Sequence, residues 1–314
     1  MPNFAANLSM MYTEVPFLER FELAAKDGFK AVEYLFPYAW PAKELAARLK
    51  ANGLVQVLMN APPGGVSSET IEMAWSKGQR GLSSLPPHKE EFKKGFLLAL
   101  EYAQTLECPR IHVMAGLIPE EDRQSLKRQT DLPIPLQTSS DAVHSNSMLR
   151  QCYLENLNWA CEQAKSHGCD VLIEPINTRD IPHFFLNKQA DAHQIIQELG
   201  CTNLKVQMDL FHAQIVEGDL ASKIKEFLPT GRVGHFQIAA VPRRHEPDTG
   251  ELNYPYLFDL IDEVSNACSW TGWIGCEYNP LNAAKPGGTS AGLGWLRSYQ
   301  QTKGLSHFGM PRIF

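Results

Sequence analysis

The chain has 314 residues, 44% hydrophobic and 20% charged, with a formal net charge of -6. Such a composition suits a globular protein of one large or two medium domains, and its acidic balance argues against general affinity for nucleic acid or anionic membranes. No apolar run approaches the roughly 20 residues that a bilayer requires, and seven scattered cysteines without a CxxC pair argue against a disulfide framework or zinc knuckle and for a reducing compartment.

The first stretch, MPNFAANLSMMYTEVPFLER, has no basic start followed by an apolar segment, so cytoplasmic placement is expected. Short apolar runs then recur along the chain at 4–10, 30–36, 54–60, 110–115, 170–176, 204–210, 233–239 and 272–278. Several are rich in Val, Ile and aromatics, as buried parallel strands are. Helical stripes separate them. Phe17, Leu18, Phe21, Ala24 and Ala25 share one face and stop at Gly28. Phe92, Phe96, Leu97, Leu100 and Ala103 repeat the pattern, as do Leu149, Cys152, Leu157, Ala160 and Ala164. Ala192, Ile195, Ile196 and Leu199 precede Gly200, and Leu257, Leu260, Ile261 and Val264 precede the last run. Core packing accounts for all these stripes.

Eight strand–helix units predict an α/β fold, a single-domain (β/α)₈ TIM barrel spanning residues 1–314. A doubly wound sheet is the alternative, but NLSMMYTE follows the first run where that fold carries GxGxxG. Two connections are long: 61–91, rich in Gly, Ser and Pro, and the polar stretch at about 117–148. Both follow strands and so belong to the C-terminal face of a barrel, where long loops form lids.

DVLIEPIN and WIGCEYNP each end an apolar run on one glutamate, Glu174 and Glu277. Side-chain alternation puts Gln207 with Asp209 and His235 with Gln237 on two further strands. Four consecutive strands thus carry Glu174, Asp209, Gln237 and Glu277 near their C-terminal ends, which converge in a barrel. A lone strand-end glutamate is ordinarily solvated or held by a neighbouring amide. Packed carboxylates, by contrast, need a cation or shared protons, and an oxygen-rich set without cysteine suits Mg²⁺ or Mn²⁺ better than structural Zn²⁺. His212 follows Asp209 by three residues and either reaches a substrate hydroxyl or caps the next helix. His235 sits lower on its strand, as a buried hydrogen-bonded histidine would. In PRRHEP, Arg244 is the candidate clamp for a substrate carboxylate, because a guanidinium holds one bidentately. Asn60, closing the third run, joins His212 and Arg244 as a candidate substrate contact.

The segments ANLSMMYTEVPFLERFELAAKDGFKAVEYLFPY, IEPINTRDIP, MDLFH, GHFQIA, EPDTGELNYPYLF and GCEYNP together resemble the hydroxypyruvate isomerase family, within the xylose-isomerase-like barrels. The likeness runs from the first strand to GLGWLRSY. It implies an isomerase that interconverts hydroxypyruvate and 2-hydroxy-3-oxopropanoate through an enediolate, with Glu174 and Glu277 as the catalytic pair. It also implies that Glu174, Asp209, Gln237 and Glu277 match the metal positions of the wider superfamily. Related epimerases place histidine where this chain has Gln237, and an amide oxygen is the weaker, neutral ligand. The stretch between Gly116 and Met148 is longer than the equivalent loop of compact family members.

The expected partner is a small hydroxy- or oxo-acid, with no nucleic acid and no membrane; a homo-oligomer is left open. Three rivals remain. An isomerase or epimerase of another small sugar acid or ketose, such as a 2-oxo-tetronate, uses the same residues. An endonuclease on the same barrel calls for more histidine ligands and a basic surface. A catalytically silent barrel would be expected to lack one of the two glutamates, and both are present.

Overall fold

The computed structural model of the chain describes residues 1–123 and 147–304. Eight strands close into one parallel barrel in sequence order: β1 Asn3–Asn7, β2 Ala31–Tyr34, β3 Val55–Asn60, β4 Arg110–His112, β5 Asp170–Ile173, β6 Leu204–Asp209, β7 Val233–Ile238 and β8 Trp273–Cys276. Each apolar run of the sequence coincides with one of them, β1 starting one residue earlier, at Asn3. The runs outlast the strands mainly at their C-terminal ends, because the chain leaves the ladder there to build the working face. After β1, for example, the amides of Met10 and Met11 turn back to the carbonyl of Asn7.

The surrounding helices are α1 Arg20–Lys26, α2 Ala42–Ala51, α3 Ser68–Ser76, α4 Lys89–Leu106, α5 Ser147–Lys165 and α6 Gln189–Leu199. They continue as α7 Leu210–Val216, α8 Leu220–Phe227, α9 Tyr254–Cys268, α10 Gly288–Gly292 and α11 Gly294–Thr302. The stripes read from the sequence lie in α1 and the 3₁₀ turn 17–19 before it, α4, α5, α6 and α9. Most of their residues are turned inward, with Phe21, Phe96, Leu157, Ala192 and Ile261 fully buried. Leu97 is the exception, at 48% exposure on the outer side of α4. Gly200 ends α6 in the left-handed region at φ 63°, as a helix stop requires. Residues 124–146 of the long polar stretch lie outside the described residues. No helix among the described residues is long and apolar enough to cross a membrane.

Inside the barrel the side chains are layered. Ala5, Ala31 and Val57 pack with Trp273 in a small apolar cluster. Above it, Glu33 of β2 accepts hydrogen bonds from Asn7 Nδ2 at 2.9 Å and Gln237 Nε2 at 2.8 Å. Its other oxygen lies 2.6 Å from His235 Nε2. Strands β2 and β7 are not neighbours, so these contacts cross the interior. Gly275 of β8 makes room for them, since a Cβ there would stand 2.2 Å from Glu33 Oε2.

Candidate active site

Glu174 and Glu277 each follow the last paired residue of their strands, β5 and β8. Freed from the ladder there, both reach the barrel mouth while staying buried, at 5% and 8% exposure. Asp209 ends β6 and divides its carboxylate between two tasks. Its Oδ1 caps α7 by accepting from the Phe211 amide at 2.8 Å, while Oδ2 is buried without a hydrogen-bond partner. One ligand-type atom from each of Glu174, Asp209, His212 and Glu277 lies within 4.8 Å of the others.

His212 is held by Asn177, whose Nδ2 donates to the ring Nδ1 at 2.6 Å, with the Asn177 amide behind it at 3.4 Å. A neutral ring accepting at Nδ1 carries its proton on Nε2. That atom faces Asp209 Oδ2 at 3.4 Å and Glu174 Oε1 at 3.7 Å. In this tautomer His212 donates toward the cluster; in the other it offers a ring nitrogen to a cation alongside Glu174, Asp209 and Glu277.

Arg244 arrives from the connection after β7. Its Nη2 donates to Glu277 Oε2 and lies 3.5 Å from Asp209 Oδ2. The guanidinium also sits over the Phe211 ring at 5.0 Å. Backbone geometry aims it: Arg244 has φ 57°, its amide donates to Ala240 O at 2.7 Å, and its carbonyl accepts from Asn279 at 2.8 Å. Both carboxylate oxygens of buried Glu246 accept from the Leu281 amide at 3.1 Å, tying this connection to the one after β8. Arg243, the other arginine of PRRHEP, points to solvent.

Burial dominates the electrostatics. It raises Glu174 well above the ordinary carboxylate range, and the charges of Glu277 and Asp209 add to the shift. Burial pushes Glu277 up to about 8 against the pull of Arg244, and Asp209 to about 6. Burial works against the charge of Arg244 too, yet Glu277, Asp209 and Glu174 outweigh it and raise the guanidinium. Burial and then Arg244 hold His212 well below its usual value. Three acids with raised pKa values thus share one small volume, the kind of arrangement that marks a candidate functional site.

A cleft of about 660 Å³ opens over the cluster, lined by Glu174, His212, Arg244 and Glu277. Asn60 lines it as well. Its outer wall is aromatic: Phe17 stacks on Trp40 at 4.3 Å, and Phe36 meets Trp75 of α3 edge-on at 5.1 Å. Trp75 comes from the long 61–91 connection, so that stretch does reach the mouth of the barrel.

Residues 21–299 match the family model of the xylose isomerase-like TIM barrels. The chain belongs to that family. It is similar to a 2-oxo-tetronate isomerase of Cupriavidus necator, 51% identical over 299 residues that cover 95% of this chain and 99% of the relative. It is also similar to a hydroxypyruvate isomerase of Escherichia coli, 37% identical over 300 residues and 96% and 100% of the two chains. Among solved structures, one described as an AP endonuclease, family 2, from Brucella melitensis superimposes with a TM-score of 0.79 at 40% identity, covering 95% of this chain and 99% of that one.

Against this family frame, the structure brings Glu174, Asp209, His212, Arg244 and Glu277 into one cluster, with Asn60 on the cleft wall. Gln237, expected among the cation ligands, is in register with Asp209 but turns its amide to the layer beneath. Its Oε1 accepts from Gln207 Nε2 at 2.6 Å, and its Nε2 serves Glu33. His235 is buried and held by Glu33, as expected. Two residues escaped the sequence reading. Glu33 was visible as an acid inside the apolar run AVEY, at a position that alternation places indoors. His112 closes β4 in RIHVMAG; it is 1% exposed, and Nε2 stands 3.5 Å from Glu174 Oε2. Neither of its ring nitrogens has a hydrogen-bond partner, and burial lowers its pKa to about 3.

Proposed function

We propose that the protein is an aldose–ketose-type isomerase of short 2-oxo hydroxy-acids, interconverting hydroxypyruvate and 2-hydroxy-3-oxopropanoate through an enediolate. The observation that carries this reading is the pair Glu174 and Glu277, buried on either side of one cleft with Arg244 and His212 between them.

The chemistry moves one carbon-bound proton to the adjacent carbon and one hydroxyl proton between the two oxygens. One glutamate removes a proton from C3 of hydroxypyruvate, and the C–H electrons form the C2–C3 double bond as the C2 carbonyl becomes an oxyanion. The other glutamate returns a proton at C2 while C3 loses its hydroxyl proton and becomes the aldehyde. Raised carboxyl pKa values suit both halves, because a proton held near neutral pH is readily taken up and given back. His212 Nε2–H is the donor for the developing oxyanion. Arg244 clamps the substrate carboxylate.

The donor set also fits a hard divalent cation such as Mg²⁺ or Mn²⁺. Glu174 Oε1 and Asp209 Oδ2 are buried without hydrogen-bond partners, and Glu277 stands beside them. The amide of Gln237 is held in the layer beneath by Gln207 and Glu33 and would have to turn upward to join such an ion. When bound, such an ion stabilises enediolate charge.

A second reading, a four-carbon substrate such as 2-oxo-tetronate, is favoured by a cleft of about 660 Å³, roomier than a three-carbon acid needs. An endonuclease has the net charge of -6 against it. A proton-NMR time course with hydroxypyruvate and with 2-oxo-tetronate, with EDTA or added Mg²⁺ or Mn²⁺, tests the proposal. Isomer signals with either acid support it. No conversion of either under any condition overturns it.

A further inference from the structure

His112 is a buried polar side chain with nothing to bond to inside the protein. It is 1% exposed, both ring nitrogens lack hydrogen-bond partners, and it lines the cleft. An imidazole desolvated in this way destabilises the fold unless something else satisfies it, since an unmet buried donor or acceptor costs about 1–3 kcal/mol. Its separation of 3.5 Å from Glu174 Oε2 is too long for a good hydrogen bond. The mechanism above does not use it.

Position says what would satisfy it. In ladder register His112 pairs with Asn60 of β3, so the two polar side chains stand side by side on the cleft wall. Arg244, the carboxylate clamp, comes from the connection after β7, four strands around the closed barrel of eight from β3 and therefore opposite. Between these ends the contacts run in order: His112 to Glu174 at 3.5 Å, Glu174 to His212 at 3.7 Å, and His212 to Arg244 at 3.5 Å. An acid held by its carboxylate at Arg244, with its reacting carbons over the glutamates, points its far end at His112 and Asn60. Hydroxypyruvate ends at its third carbon, which is a reacting one. A four-carbon oxo-hydroxy-acid carries one further hydroxyl there.

We propose that His112, with Asn60 beside it, is the binding point for the substrate hydroxyl beyond the reacting carbons, and that it makes the enzyme select four-carbon oxo-hydroxy-acids over three-carbon ones. This deepens the isomerase reading in its four-carbon form and rests on it. A site built to bond a hydroxyl discriminates against the analogue that lacks it, because its own polar atoms are then left unpaired.

The test compares wild type with His112→Phe, which keeps a planar ring and loses both nitrogens. The quantity read is the ratio of kcat/KM for 2-oxo-tetronate to kcat/KM for hydroxypyruvate, which does not depend on the fraction of folded enzyme. The ratio is expected to exceed one in wild type and to fall by about tenfold to a hundredfold in the variant. An unchanged ratio overturns the proposal, whether both activities fall together or neither does; a common fall would make His112 a support for Glu174 only. Calorimetric binding of erythronate and glycerate, four- and three-carbon acids without the 2-oxo group, separates the subsite from turnover. Wild type should prefer erythronate by about tenfold or more, and His112→Phe should lose that preference. If wild type isomerises neither oxo-acid, the functional reading fails while this binding comparison still decides the subsite. No erythronate preference in wild type, or its survival in the variant, overturns the subsite.

Discussion

His235 Nε2 on β7 lies 2.6 Å from Glu33 Oε2 on β2, joining through the barrel interior two strands that are not neighbours in the sheet. With Asn7 and Gln237 also bonded to Glu33, this carboxylate is the hub of the layer directly beneath the candidate site. Glu33→Ala leaves three buried groups without their acceptor, at about 1–3 kcal/mol each. Chemical denaturation should therefore show a loss of several kcal/mol. Gly275→Ala pushes a Cβ to 2.2 Å from the same carboxylate and should cost about 1–3 kcal/mol by overpacking. In the double variant the clash has no target, so the two losses should sum to less than their separate values. Strict additivity would mean that Gly275 and Glu33 do not share the space described.

Burial raises Glu174 above its ordinary value near 4.5, which fixes the sign of a pH effect on stability. The folded state keeps a proton that the unfolded chain releases near that value, so its stabilising effect is complete below about 4.5 and is lost as pH rises. With EDTA present, urea titrations of the wild type should show stability falling from about pH 5 toward neutrality. Glu174→Gln, neutral at every pH, should show a shallower slope. A steeper slope in the variant would reverse the assignment.

Arg244 and Arg243 are adjacent, yet only Arg244 enters the cleft. Arg244→Lys keeps the charge but loses the two-pronged geometry, so KM for the oxo-acid should rise by about tenfold or more. Arg243→Ala, on the exposed side of the same turn, should change KM by less than about twofold. Equal effects at both positions would point to a general charge effect of the loop.

Much of this was legible in the sequence, and the parts that were not have physical reasons. Alternation of apolar runs and helical stripes gave the barrel, because each run must be buried on both faces. The glutamates stood out because a carboxylate at the end of an apolar run has no packing role. Gln237 was placed by register alone, and register does not say which neighbours claim an amide; Glu33 and Gln207 do. His112 and Glu33 were passed over because each sits among residues that read as ordinary strand. Only closure of the barrel reveals that His112 faces the cleft and that Glu33 faces His235. Arg244 is the arginine singled out of PRRHEP, and the turn at φ 57° supplies the reason that it, and not Arg243, enters the cleft.

The most direct test of the glutamate pair is hydrogen exchange by single variants. Hydroxypyruvate is incubated in D₂O with wild type, Glu174→Gln and Glu277→Gln, and proton NMR follows both the C3 hydrogens and product. Two facing bases require that both variants lose net isomerisation by about a hundredfold or more. The variant that retains the C3 base should still exchange C3 hydrogens for deuterium, and the other should not. Full product formation by either variant would contradict a mechanism shared between Glu174 and Glu277.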